Sequence, residues 1–163
     1  MAVKRVSINW NANLHDSKDL PKYGDSGDGK FSKKFGEGRF VIPAPLEVDA
    51  LMKKVPKGKL TTINELRPAL AKKHKTDFTC PITTGIFSWI TAYAADELAQ
   101  QGRKRITPYW RTLKSDGQIN PKYPGGIEAI REKLEAEAHT VIQKGKRFLV
   151  ENFEKKTIVP KQG

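Results

Sequence analysis

Apolar positions are scattered over the first 43 residues and turn residues are frequent there. Asp16-Ser-Lys-Asp-Leu-Pro21, Gly24-Asp-Ser-Gly-Asp-Gly29 and Gly36-Glu-Gly38 interrupt isolated aromatics. Such a stretch predicts a polar extension that drapes over a core or stays partly mobile. The pattern changes at Pro45. Val48, Leu51, Met52 and Val55 repeat at helical spacing, and Pro56-Lys-Gly58 ends the element. Thr62-Ile-Asn-Glu65 then has the form of a capping box, so a second helix starts at Thr62, turns Ile63, Leu66 and Leu70 to the core, and finishes near Lys72-Lys-His74. Pro68 lies past its first turn and removes a backbone bond.

A third helix is predicted from Pro81, a residue suited to a first turn. Ile82, Ile86, Trp89, Ile90, Tyr93, Ala94 and Glu97 follow a helical rhythm and define its core face, which leaves Thr83, Thr84, Ser88 and Thr91 on a polar face. Two consecutive helices of this kind suggest a helix-turn-helix. Ile106 to Leu113 reads as extended, and Lys114-Ser-Asp-Gly117 is turn chemistry before Gln118-Ile119, which together predict a hairpin or wing. A fourth helix follows from Ile127 to about Ala138. Thr140 to Glu151 holds two β-prone runs around Lys144-Gly145, a terminal hairpin.

Charge sharpens this outline. The 163 residues carry 30 Lys+Arg against 18 Asp+Glu, a formal charge of +12. An excess of that size predicts a polyanion partner, because neutralising phosphates releases condensed counterions. Its distribution is uneven: residues 99–126 hold six basic side chains and one acidic, the largest excess of any segment. Arg103, Lys104, Arg105, Arg111, Lys114 and Lys122 are there interleaved with Tyr109, Trp110 and Tyr123, a mixture suited to phosphate contact and base stacking. One Cys excludes an internal disulfide, and three His show no zinc-ligand spacing, so neither a metal nor another cofactor is expected. The start lacks a signal-peptide run, and the longest mostly apolar stretch, Ile86 to Ala95, is too short to span a bilayer. The expectation is a soluble cytoplasmic protein with no membrane partner.

Two blocks carry a family resemblance. Val55-Pro-Lys-Gly-Lys-Leu-Thr-Thr-Ile-Asn-Glu-Leu66 resembles the segment that opens the helix-turn-helix of the methylated-DNA-protein-cysteine methyltransferases, also called alkylguanine-DNA alkyltransferases, and of the alkyltransferase-like proteins. Pro108-Tyr-Trp-Arg111 resembles the Pro-Cys-His-Arg of those enzymes and the Pro-Trp-His-Arg of the non-catalytic alkyltransferase-like group. It is followed at the family's spacing by Ser115-Asp-Gly117, Pro124-Gly-Gly126 and Leu134-Glu-Ala-Glu137. The resemblance covers roughly residues 45–143 and is closest to the non-catalytic group. It implies an α+β fold: a winged helix-turn-helix DNA-binding domain at 44–143, a polar extension at 1–43, and a C-terminal hairpin strand and tail at 144–163. It also implies a pocket formed by Tyr109, Trp110, Arg111, Tyr123 and Glu137, and a duplex DNA partner engaged through the minor groove, with repair proteins as further partners. The DNA contacts expected are Thr62, Thr83, Thr84, Ser88, Thr91, Arg103, Lys104, Arg105, Lys114 and Ser115.

The departures from the family decide what carries over. The family's nucleophilic Cys and activating His are matched by Tyr109 and Trp110. A phenol with a pKa of about 10 is a poor nucleophile at neutral pH without an adjacent base, and an indole is no base. Alkyl transfer by the family's route is therefore not expected, and no residue is assigned as catalytic. The family's Tyr that rotates a DNA phosphate falls on Ile63, and its intercalating Arg near Ile82. The function expected is non-catalytic DNA binding with recognition of altered bases for repair. The alternatives are an active alkyltransferase using Cys80 as a relocated nucleophile, and a protein-interaction module that kept the fold. Gly24 to Phe31 nearly matches a phosphate-binding loop, but Phe31 replaces the required hydroxyl and Asp25 and Asp28 would repel phosphate.

Overall fold

The computed structural model describes residues 9–27, 34 and 36–161. Residues 28–31 of the phosphate-loop look-alike lie outside them. Five helices run over Trp10–His15 (α1), Pro45–Met52 (α2), Ile63–His74 (α3), Pro81–Gln100 (α4) and Gly126–Ala136 (α5) among the described residues. Among the described residues, seven short strands occupy Lys22–Asp25 (β1), Arg39–Ile42 (β2), Thr61–Thr62 (β3), Phe78–Thr79 (β4), Thr112–Leu113 (β5), Val141–Lys144 (β6) and Arg147–Val150 (β7).

α2 and α3 form where the apolar spacing and the cap demand them. Val48, Leu51 and Met52 are fully buried and Val55 follows at 1% exposure. At the head of α3 the Thr62 N–H donates to Glu65 Oε2 at 3.0 Å, and Thr62 Oγ1 accepts from the Asn64 N–H at 3.1 Å. Two orphan amides are satisfied at once. Leu66 and Leu70 are fully buried, each side chain contributing about 2 kcal/mol of apolar burial. Ile63 lies partly buried against the same cluster.

The strands join distant parts of the chain. β2 pairs antiparallel with β1 and parallel with β4, in the order β1-β2-β4. β3 pairs parallel with β5, Thr61 opposite Thr112 and Thr62 opposite Leu113, which sets the start of α3 beside the segment that follows Arg111. β6 and β7 pair antiparallel around Gly145, and Ile119 donates its N–H to Phe148 O at 2.8 Å.

The described part of the chain before Ala44 is paired and packed. Leu14 on α1 is 5% exposed. Glu97 of α4 accepts the N–H groups of Trp10 and Asn11 at 2.9 and 3.2 Å, and the Asn11 amide at 2.7 Å. Trp10 packs on Tyr93 and edge-on to Trp89. Tyr23 reaches from β1 to His74 Nδ1 at 2.9 Å, and His74 Nε2 meets Glu47 Oε1 at 2.6 Å, which links the N-terminal strand to α3 and α2.

The structure corrects two sequence readings. Tyr109–Arg111 forms a 3-10 turn, not part of an extended strand, so only Thr112–Leu113 pairs as β. The facing of α4 is also reversed near its N-terminus. Ile82 and Ile86, expected in the core, are 52% and 43% exposed, while Thr84, Ser88 and Thr91 are buried. Small side chains let α4 approach its neighbours: Ala92 and Ala95 belong to the same core cluster as Val48 and Leu51. Thr84 and Ser88 can enter this face because their hydroxyls bond within their own helix. Thr84 Oγ1 donates to Cys80 O at 2.7 Å and Ser88 Oγ to Gly85 O at 2.7 Å. Branched Ile side chains have no such means of close approach and are turned outward.

Candidate nucleic-acid interface

Tyr109, Trp110, Arg111, Tyr123 and Glu137 do come together. The 3-10 turn directs Arg111 at Glu137 from the C-terminal end of α5: Nε donates to both carboxylate oxygens at 2.9 and 3.2 Å, and Nη2 to Oε2 at 2.7 Å. Arg111 Nη1 also donates to Val55 O at 2.7 Å, and Trp110 Nε1 to Glu137 Oε2 at 3.0 Å. Burial alone would raise the Glu137 carboxyl, but the Arg111 and Trp110 hydrogen bonds outweigh it and hold it below the usual range. Lys133 and Arg111 both lie over the Trp110 ring, 4.9 and 5.6 Å from its centroid.

The two tyrosines fill the centre of this cluster. Tyr109 and Tyr123 are each 2% exposed, with rings edge to face at 6.0 Å; Tyr109 meets Trp110 edge to face at 5.3 Å. Burial, helped by Asp96 and Tyr93, pushes the Tyr109 phenol up to about 12. Burial likewise pushes Tyr123 to about 12, against a hydrogen bond with Ser88 that favours the charged form. Both phenols are neutral at physiological pH. The five residues form a packed, ion-paired junction between the 109–111 turn and α5, and an everted base could enter it only by displacing those rings.

The expected DNA contacts divide into three groups. Thr62, Thr84, Ser88 and Thr91 are 0–1% exposed and cannot touch a ligand in this conformation. Thr62 is committed to its cap, and Thr84 and Ser88 to helix carbonyls. Thr83 is half-buried, with Oγ1 3.4 Å from Cys80 O. Lys114 and Ser115 are exposed on the turn that leads to Gln118. Arg103, Lys104 and Arg105 are also exposed but follow the C-terminal end of α4. Arg103 and Arg105 line a cavity of about 340 Å³ with Asn11, His15, Asp49 and Lys53. Sixteen residues of helix separate Ile82 from Leu98 in that cavity, about 24 Å. The basic stretch therefore occupies two places.

At the other end of α4 lies a surface that the hydrophobic pattern hid. Ile82, Gly85, Ile86 and Trp89 line a groove of about 440 Å³ with Asn120 and Lys122. Trp89 Nε1 donates to Lys122 O at 2.9 Å and fixes the 120–122 loop against the helix. The signal available in the sequence was the hydroxyl spacing of α4, which marks a buried face as readily as a wet one.

S. pombe Atl1 in complex with damaged DNA containing O6-carboxymethylguanine superposes with a TM-score of 0.51 at 17% identity, over 71% of this chain and 94% of that one. A second structure, S. pombe ATL in complex with DNA, gives a TM-score of 0.48 at 18% identity over the same shares. The fold is that of an alkyltransferase-like protein. No protein-family model matches the chain, and no curated protein matches its sequence. On this alkyltransferase-like fold, Tyr109 and Trp110 stand in the block that resembles the family's Cys-His pair, and both are built into the packed junction. Cys80, at the head of α4, is 6% exposed. No described helix is long and apolar enough to cross a membrane.

Proposed function

We propose that the chain is a non-catalytic DNA-binding protein of the alkyltransferase-like type that recognises altered bases for repair in the cytoplasm, with repair proteins as further partners. In this reading residues 44–143 form a winged helix-turn-helix domain flanked by 1–43 and 144–163, with α3 and α4 as the helix pair. The turn after β5 serves as the wing, and duplex DNA is met from the minor groove. The observation that carries the proposal is an acid-poor surface on this fold. No acidic residue occurs between Pro81 and Ala95 or between Gly117 and Ile127, and these segments meet in the groove beside Lys122. The solved S. pombe Atl1, whose fold this chain shares, is bound to damaged DNA.

Fluorescence anisotropy with duplex DNA, with and without an alkylated guanine, tests this directly. Binding that weakens as salt rises is expected, with tighter binding to the altered duplex. No binding at low salt ends the proposal, and equal affinity for both duplexes ends its lesion-recognition part. Closure of the Tyr109 junction favours a second reading, a protein-interaction module that kept the fold, which the absence of any duplex binding would select.

A further inference from the structure

A cavity of about 340 Å³ opens at the C-terminal end of α4, away from the Trp89 groove. Three parts of the chain enclose it: α1 brings His15, α2 brings Asp49 with Lys53 just after it, and the segment leaving α4 brings Arg103, Arg105 and Ile106. The arginines reach it because of how α4 ends. The Gly102 N–H donates to Ala99 O and the Arg103 N–H to Leu98 O, each at 3.0 Å, and Gly102 takes a φ of 90° that a side chain resists. This closure turns the chain aside, and both arginines line the cavity. The charges there do not cancel. Asp49, 3% exposed, supplies the carboxylate, and its two oxygens already accept from Thr107 Oγ1 at 2.6 Å and from Lys53 Nζ at 2.9 Å. Arg103 and Arg105 take part in no ion pair among the described residues. With Asp49 matched by Lys53, two positive charges are left over. Arginines on an open surface are usually just solvated. These two border a concave site at the lower end of the size range of small-ligand pockets, beside an apolar wall of Leu98 and Ile106 and a buried acceptor.

We infer that this cavity binds a nucleoside 5′-monophosphate. Each part of such a ligand has a counterpart in the lining. A phosphate monoester carries close to two negative charges and a guanidinium fork fits its oxygens, so Arg103 and Arg105 hold the phosphate. Leu98 and Ile106 receive the base. Asp49 keeps lone pairs beyond the two in use and accepts a ribose hydroxyl. His15 Nδ1 donates to Asn11 O at 2.8 Å, which leaves Nε2 able to accept from the ligand. Because α1 is one wall of the cavity, the site gives the chain before Ala44 a role in ligand binding. The inference goes beyond the DNA-binding reading and does not depend on it, since about 24 Å of helix separates Leu98 from Ile82 in the Trp89 groove.

Isothermal titration calorimetry of the full-length protein with 5′-AMP, 5′-GMP, 5′-CMP and 5′-UMP tests this, with the matching nucleoside and inorganic phosphate titrated as the two halves of the ligand. At least one nucleotide is expected to bind with a Kd below about 1 mM, and each half about tenfold more weakly or worse. The R103A/R105A variant, altered only at exposed positions, is expected to keep its circular dichroism and to lose about tenfold or more in affinity. K122A, which removes a positive charge at the other end of α4, should bind the nucleotide like wild type. The inference is overturned if none of the four nucleotides binds, if either half binds as tightly as the whole, or if R103A/R105A is unchanged. An equal loss in K122A overturns it as well, because net charge and not a site would then be responsible. Duplex binding by the same preparations is read separately, so failure of the nucleotide titrations leaves the DNA-binding reading standing.

Discussion

Arg111 and Glu137 form a two-pronged ion pair that is only 14% and 8% exposed at its side chains, and it ties the 109–111 turn to the end of α5. The pair also holds Val55 O through Arg111 and the Trp110 indole through Glu137, so three segments meet at this ion pair. Removing one partner leaves the other charge buried. E137A is expected to cost about 3 kcal/mol in urea unfolding, and R111A a similar amount, while the R111A/E137A double variant should recover part of that loss. Strict additivity of the two single changes would show that the geometry contributes no coupling.

His139 introduces a pH dependence of its own. Burial lowers its pKa, the Glu137 charge opposes this, and Lys156 and Arg111 reinforce it. The unfolded imidazole binds its proton more tightly than the folded one. The associated stability is therefore complete above about pH 6.5 and is lost as pH falls from there through the folded value. Glu137 and Glu47, also held low in the fold, add a second loss at more acid pH. Urea midpoints measured from pH 7.5 down to 3.5 should decline in two stages. H139Q should flatten the first and leave the second; an unchanged first stage would mean that another group is responsible.

The reversed facing of α4 makes its own prediction. Thr91 Oγ1 is buried without a protein partner among the described residues. T91V replaces it with an isosteric methyl and should be neutral or stabilising by up to about 1 kcal/mol, with DNA affinity unchanged. G85A should stabilise the helix by about 0.5–1 kcal/mol, because its Cβ meets nothing and Gly is a poor helix former. A T91V variant that folds normally but loses DNA would put the hydroxyl face back on the outside.

This helix shows where the sequence was legible and where it was not. Its start at Pro81 and the capping box at Thr62 could be read because each depends on residues within four positions of one another. Glu137 was assigned beside Arg111 through a motif, and the two meet in space. Which side of α4 faces inward depends instead on how closely α1 and α2 approach it. Hydrophobicity ranks Ile above Thr, but close approach favours the smaller side chain when its hydroxyl can bond to its own helix. The strand expected through Tyr109 failed for a similar reason. Arg111 must turn back to reach Glu137 and Val55 O, and a 3-10 turn allows this where an extended segment would carry it past.

The same distinction divides the positive charge. Counted along the chain, residues 99–126 form one basic stretch, yet Arg103 and Arg105 line the cavity with α1 and α2 while Lys122 faces Ile82 across the groove at the opposite end of α4. A short duplex centred on the groove meets one of these places and not the other. K122A is expected to weaken binding to matched and mismatched duplexes alike and to reduce the slope of log affinity against log salt by about 1. The R103A/R105A double variant removes twice the charge, and because it acts about 24 Å away along the helix it should leave affinity for a duplex of about ten base pairs unchanged. Net charge alone predicts the reverse order, so the salt dependence of these two variants separates a localised interface from a diffuse positive surface.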